Sequence, residues 1–311
     1  YREGNLEKKN EKHKEIGNMS IIEKQNEQSI LDKLSAQRKL YDKAKSLRTL
    51  RFVLCVVIIV CLSIARLVLP ECHVIESALI IVTTVALISE PILESLIDKY
   101  RTLAAQIQQR LDNELYGFEW DDCVCGKEPS DELVCDFKEA IINGKLRNWY
   151  NANIGNVQDE NVAVLLCQRE NISYDSGLRE WYVTLNAWSA AILIMVVISL
   201  SFAEGWDLMT VLVFGIIPAI PIAEWFIAIF KDNSVDKEHL ESLELLVMIE
   251  TNKVLAGRDI TKKTLMKIQN LLYLHRKNGY LIPNWFYHFK RKKSERRAAY
   301  SVQEFLKKYN N

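Results

Sequence analysis

The chain has 311 residues, 49% of them apolar, with 40 Lys+Arg balanced by 40 Asp+Glu. Its mean hydropathy of −0.05 averages two unlike populations, because the apolar residues gather in four blocks between Phe52 and Phe230 and the remainder is strongly polar. That division excludes an ordinary soluble globule, and the long polar remainder excludes a many-span transporter.

Taken in chain order, Tyr1–Asn18 is a charge-rich stretch that reads as a mobile tail, and Met19, which opens the first patterned segment, is a candidate start. A bilayer core of roughly 30 Å needs about 20 apolar residues in helix, and Phe52–Leu69, Val74–Leu93, Val183–Phe202 and Leu208–Phe230 meet that length. The first is not a cleavable signal peptide, since a long polar region precedes it and a second span follows at once. Only Pro70–His73 separates the first two blocks and only Ala203–Asp207 the last two, so the blocks form two helical hairpins.

Neither tip carries Lys or Arg, whereas Lys43, Lys45, Arg48 and Arg51 precede span one, Lys99 and Arg101 follow span two, and Arg169 and Arg179 precede span three. The positive-inside rule therefore puts both termini and the central segment in the cytoplasm. Charge agrees: 13 basic and 8 acidic residues up to Arg51, 17 and 9 from Lys231 onward, and 10 against 23 between them. The expected divisions are 1–51, N-terminal tail and helix; 52–93, first hairpin; 94–182, central sensing region; 183–230, second hairpin; and 231–311, C-terminal helical region.

The polar segments also read as helical, giving an all-α membrane protein. Apolar residues from Leu96 through Ile107 to Leu115 keep a helical period, which predicts that span two continues as one helix into the cytoplasm. Shorter helical patterns follow at Glu132–Ile142 and Val162–Arg169, then two amphipathic helices at Val235–Leu255 and Thr261–His275, and an aromatic turn at Pro283–Tyr287. No alternating strand pattern occurs.

No glycine pattern matches a phosphate-cradling loop, and no H-E-x-x-H or nucleophile elbow is present. The five histidines are scattered, and Cys123-Val-Cys125 with Cys135 has the wrong spacing for zinc, so buried thiols are favoured over a metal site and no cofactor is expected. An enzyme reading is the minor one. The acids inside the blocks, Glu90 beside Pro91 and Glu224 after Pro218 and Pro221, are gate candidates. At about 1.5 Å per residue they lie roughly 20 and 24 Å along their helices, near the cytoplasmic third. Each either belongs to a polar ring at a pore mouth or pairs with an interfacial base, Lys99 or Arg101 for Glu90 and Lys231 for Glu224.

A ligand site is suggested by Arg147, Trp149, Tyr150, Gln168, Arg169, Asn171 and Arg179. Guanidinium groups grip phosphate, rings stack on bases and amides read base edges, which is the chemistry a nucleotide needs; spacing alone favours core or interfacial positions for the same rings. The run from Lys290 to Arg297 reads as a solvated or lipid-facing basic face rather than a DNA or RNA site.

The order of short motifs is informative: Ala36-Gln37-Arg38 with Tyr41 and Ala44-Lys45 before the first hairpin; Leu115-Tyr116-Gly117-Phe118 with Trp120; Trp149-Tyr150; Cys167-Gln168-Arg169 with Asn171, Tyr174-Asp175 and Leu178-Arg179; then the second hairpin. This arrangement resembles the SMODS-associating four-transmembrane effector family of bacterial anti-phage defence, over about Gln25 to Arg297. The resemblance implies a homo-oligomeric pore former that acts downstream of a nucleotidyltransferase and binds its cyclic oligonucleotide. Such a protein permeabilises the inner membrane and aborts the infection. The rival expectations are a membrane scaffold, a protein-triggered pore, and a lipid-directed enzyme that would depend on Glu90 and Glu224.

Overall fold

A computed structural model describes residues 20–69, 72–139, 146–203, 209 and 217–310. Tyr1–Asn18, Met19, most of both hairpin tips and most of the first part of the fourth block lie outside the described residues. Among the described residues every regular element is a helix.

The chain begins with α1 (Ile21–Lys24), closed by a capping box in which Ser20 and Glu23 satisfy each other's free backbone donors. The helix α2 (Gln28–Phe52) passes through a π-helical segment, Val53–Val57, into α3 (Ile58–Val68), so the N-terminal helix and the first block form one rod. It lies along α4 (His73–Tyr116), whose 44 residues extend about 66 Å at a rise of about 1.5 Å each. The expected continuation of span two is present, and it stops where Gly117 takes φ +66°, a left-handed cap that a side chain would strain.

Next come α5 (Asp122–Cys125) and α6 (Asp131–Phe137), and a 3₁₀ turn (Ala152–Asn156) precedes α7 (Glu160–Ala203). Asp159 starts α7 by accepting from the N–H groups of Asn161 (2.8 Å) and Val162 (3.3 Å). The last elements are α8 (Ile217–Leu255), α9 (Lys262–Asn278, capped by Thr261) and α10 (Asn284–Tyr309).

Three boundaries differ from the sequence reading. The pattern Val162–Arg169 and the third block belong to one 44-residue helix. The apolar period fades between them at Asn171, Tyr174 and Asp175 because that face borders a cavity rather than a core. Likewise the described part of the fourth block, from Ile217 onward, and Val235–Leu255 are one helix, α8. The aromatic turn after Pro283 is the first turn of α10, which also carries the basic run; a proline ahead of a helix costs no backbone bond there.

The main core joins α2, α4, α7, α8, α9 and α10 through Leu31, Leu111, Leu165, Leu166, Ile268, Val302 and Phe305, all at most 2% exposed. Each such side chain contributes about 1.5–3 kcal/mol on burial, so the polar half of the chain folds as a packed bundle. Conditions reverse along the apolar blocks. Ile80, Ile81, Leu87, Ile88 and Ile92 on α4 and Trp188, Ile192 and Met195 on α7 are all more than half exposed. By length and composition α4 is the helix among the described residues that can cross a membrane, and only 17% of its apolar stretch is buried, unlike a soluble core helix.

Candidate functional site

Where the bundle meets the apolar blocks, α2, α7 and α9 line a half-open cavity of about 260 Å³, just below the roughly 300–1,000 Å³ common for ligand sites. The loop 279–282 and the start of α10 close one side, and the loop bearing Trp149 lies at the other.

The α7–α9 wall holds charges that neutralise one another. Arg179 is buried; it donates to Asp236, to Asp175 (2.9 Å) and to the Tyr280 carbonyl (3.2 Å). Burial by itself would raise the Asp175 carboxyl, but Arg179 and His275 outweigh it and hold that group well below the usual carboxylate range. His275 Nε2 lies 2.6 Å from Asp175, while Arg276 donates to Asp112 at 2.6 Å. Gly279 makes this packing feasible, because a Cβ there would sit 2.6 Å from the His275 carbonyl oxygen and 2.9 Å from Arg179 Nη2.

The α2 wall differs. Gln37, Arg38, Tyr41, Asp42 and Lys45 line it at helical spacing. Arg38 takes no carboxylate partner among the described residues. Lys45 donates to the Asn284 amide oxygen (2.8 Å), and Asn284 in turn donates to Asp42 (2.7 Å). Burial, opposed in part by Asp42, lowers the Lys45 ammonium to about 8. Burial also pushes the Tyr41 hydroxyl up to about 12, so it stays a neutral donor.

The ligand residues expected from the sequence separate into two groups. Trp149, Asn171 and Arg179 line the cavity. Trp149 is positioned by its neighbour Asn148, which adopts φ 56°, donates its backbone N–H to Asn26 Oδ1 and accepts from Asn26 Nδ2, both at 3.0 Å. Asn171 is partly committed, since it donates to the Tyr150 hydroxyl at 3.1 Å. Tyr150 and Gln168 are core residues: Tyr150 bonds Tyr116 (2.7 Å) and Asp112 (3.3 Å), and Gln168 bonds the Leu265 carbonyl (2.9 Å) and Gln269 (3.2 Å). Arg169 turns toward α10 and donates to Ser301 (2.8 Å), and Arg147 is exposed outside the cavity. Arg38, Tyr41 and Lys45 were the residues not singled out as ligands, although the motif containing them was one that suggested the family.

Of the gate candidates, Glu90 pairs with Arg51 of α2 (2.6 Å), which also holds Glu94; its partner is therefore neither Lys99 nor Arg101. Pro91 lies inside α4, where it has no N–H to offer the Leu87 carbonyl. Pro218, Pro221 and Glu224 belong to α8, but their side chains lie outside the described ones. Among the described residues no group of three or more His, Cys, Asp or Glu could hold a metal; Cys125 is buried near Tyr273, whereas Cys123 and Cys135 are exposed.

The family model of the SMODS-associating 4TM effector domain matches residues 19–305. The chain belongs to that family. Its name is that of an effector rather than of an enzyme. A relative from Bacillus cereus (strain VD146), described as a probable CBASS effector molecule, is 23% identical over 300 residues, which cover 93% of this chain and 99% of the relative. No solved structure matches the chain. The motif residues Gln37, Arg38, Tyr41, Lys45, Asn171, Asp175 and Arg179, distant in sequence, meet at this one cavity.

Proposed function

We propose that this protein is a four-span, homo-oligomeric inner-membrane effector of anti-phage defence, gated by a cyclic oligonucleotide that binds the cavity between α2, α7 and α9. Its termini and bundle face the cytoplasm, where such a messenger is made. The observation that carries this reading is the convergence of the family-suggesting motif residues on one cleft. There an uncommitted guanidinium (Arg38), an ammonium (Lys45), amides (Gln37, Gln108) and flat rings (Tyr41, Trp149) stand together. Guanidinium and ammonium groups bind phosphodiesters, and the rings stack on bases.

The cavity is also connected to the apolar helices. Arg101 of α4 donates to the Gly279 carbonyl (3.3 Å), and Arg48 of α2 lies 3.5 Å over the Tyr280 ring and 6.0 Å from the Trp225 ring of α8. A ligand that prefers one arrangement of loop 279–282 thereby biases α2, α4 and α8 together. Four helices per subunit enclose little water, so permeabilisation, as a pore or as membrane disruption, takes several subunits.

The test is thermal stabilisation of the detergent-purified protein across cyclic di-, tri- and tetranucleotides, followed by ion leakage from liposomes with whichever stabilises it. Stabilisation and leakage that are both lost in Arg38→Ala support the reading, and no response to any of them overturns it. A protein-triggered pore or scaffold is the second reading. It is favoured by the exposed stripe Leu245, Met248 and Ile249 on the polar half of α8, and it predicts capture of a partner without any nucleotide effect.

A further inference from the structure

The basic run on α10 belongs to a longer exposed face that begins with two aromatic rings. Trp285, Phe289, Lys292 and Arg296 recur at intervals of four, three and four residues, so they stand on one side of the helix, with Lys293 and Tyr300 flanking them; all six are exposed. The opposite side, with Ser294, Ala298, Val302 and Phe305, is buried against the bundle.

The face is graded along its length, aromatic at its start and cationic beyond. Contacts with α7 fix which end lies nearest the apolar blocks. Phe286 packs edge-on against Tyr182 (5.2 Å between centroids), Arg297 lies 3.2 Å from a Cβ built on Gly177, and Ser301 accepts from Arg169. The helix therefore runs away from the third block, and its aromatic end stands beside Tyr182, where that block begins. At the same level Phe52 meets Trp225 (4.8 Å between centroids), and Lys293 Nζ sits 4.0 Å over the Trp181 ring.

Trp285 and Phe289 are 62% and 75% exposed beside an apolar helix surface that includes Trp188 at 67%. Three cations follow within about two turns. Aromatic rings beside the hydrocarbon edge with ammonium and guanidinium groups displaced toward water form the arrangement of an interfacial helix on an anionic bilayer. We infer that this face of α10 is a binding surface for anionic phospholipid headgroups, with Trp285 and Phe289 seated in the acyl–headgroup boundary and Lys292, Lys293 and Arg296 on the phosphates. The inference rests on the reading that α7 crosses the bilayer; it is independent of any nucleotide. The surface fastens the cytoplasmic bundle to the membrane plane.

The test uses the full chain reconstituted in vesicles of chain-brominated phosphatidylcholine, with or without an equal part of brominated phosphatidylglycerol. Tryptophan quenching is compared among the wild type, Trp285→Phe, Trp188→Phe and the charge reversal Lys292→Glu/Lys293→Glu/Arg296→Glu. The difference between wild type and Trp285→Phe isolates Trp285, whose quenching should rise at least about twofold with phosphatidylglycerol and lose that dependence in the charge reversal. Trp188 should be quenched in both lipids. Quenched Trp188 with Trp285 unquenched, or indifferent to phosphatidylglycerol, overturns the lipid surface alone, whereas an unquenched Trp188 overturns the spanning reading beneath it. Retention of single-stranded RNA by the wild type but not by the charge reversal, with no lipid dependence, would overturn the proposal in favour of a nucleic-acid face.

Discussion

The two walls of the cavity contain similar side chains used in opposite ways. On α7 and α9, Arg179 and Arg276 are matched by Asp175, Asp236 and Asp112, so their charge is spent inside the protein. On α2, Arg38 has no such partner among the described residues, and Lys45 donates to the Asn284 amide, which itself donates to Asp42. A guanidinium enclosed by carboxylates holds helices together, and one facing a cavity without them is available to an anion from outside. Identity of residue type therefore says little about role; the count of opposing charges within reach decides it.

Breaking the first wall should have the largest effect. Arg179→Ala leaves the buried Asp236 and the part-exposed Asp175 without their guanidinium and removes a donor from the Tyr280 carbonyl. It should cost about 3–5 kcal/mol of stability, seen as a collapse of the thermal or denaturant midpoint before any ligand is added. Breaking the second wall should leave the midpoint nearly unchanged and affect binding alone. Arg38→Ala removes one charge-assisted contact, about 1.5–3 kcal/mol, which would weaken by tenfold or more the affinity for whichever cyclic oligonucleotide stabilises the protein. A comparable loss of unliganded stability in both variants would erase the distinction between the walls.

A pH titration sharpens the same comparison. The folded Lys45 ammonium is lowered to about 8 from an ordinary 10.5, so between those values the unfolded chain holds the extra proton and stability from this group rises with pH. Anion binding has the opposite sign, because it needs the protonated form. Affinity should fall up to about tenfold from pH 7 to pH 9, following the loss of the charge. Lys45→Arg, which stays charged across that range, should flatten the profile, and a wild-type profile that is already flat would remove Lys45 from the site.

Much of the architecture was legible in the residues themselves. The apolar blocks, the continuation of α4 as far as Gly117, and the caps at Ser20 and Thr261 follow from local rules of period and hydrogen bonding. The α7 helix was read in pieces because the stretch bordering the cavity, from Asn171 to Asp175, gives up its apolar period there. The cavity was half legible: Trp149, Asn171 and Arg179 of the expected ligand residues do line it, whereas Tyr150 and Gln168 lie in the core and Arg169 turns to α10. Which arginine remained available was not legible, since Asp236 reaches Arg179 across 57 residues and Asp112 reaches Arg276 across 164. Pairing at that separation is a product of the fold.

The smallest expected effect concerns the arginine that looked most like a ligand from sequence. Arg169 sits in the Cys167-Gln168-Arg169 motif, yet its guanidinium crosses to α10 and donates to Ser301 rather than lining the cavity. Half-burial lowers its proton affinity, and its work is a hydrogen bond between two helices. Arg169→Ala should therefore cost about 0.5–1.5 kcal/mol of stability and leave the ligand-induced thermal shift intact. Ser301→Ala should reproduce most of that loss, because it removes the acceptor of the same bond. If instead Arg169→Ala abolished the shift while Arg38→Ala preserved it, the ligand would occupy the α7–α10 side of the bundle, and the partner-free cation on α2 would need another explanation.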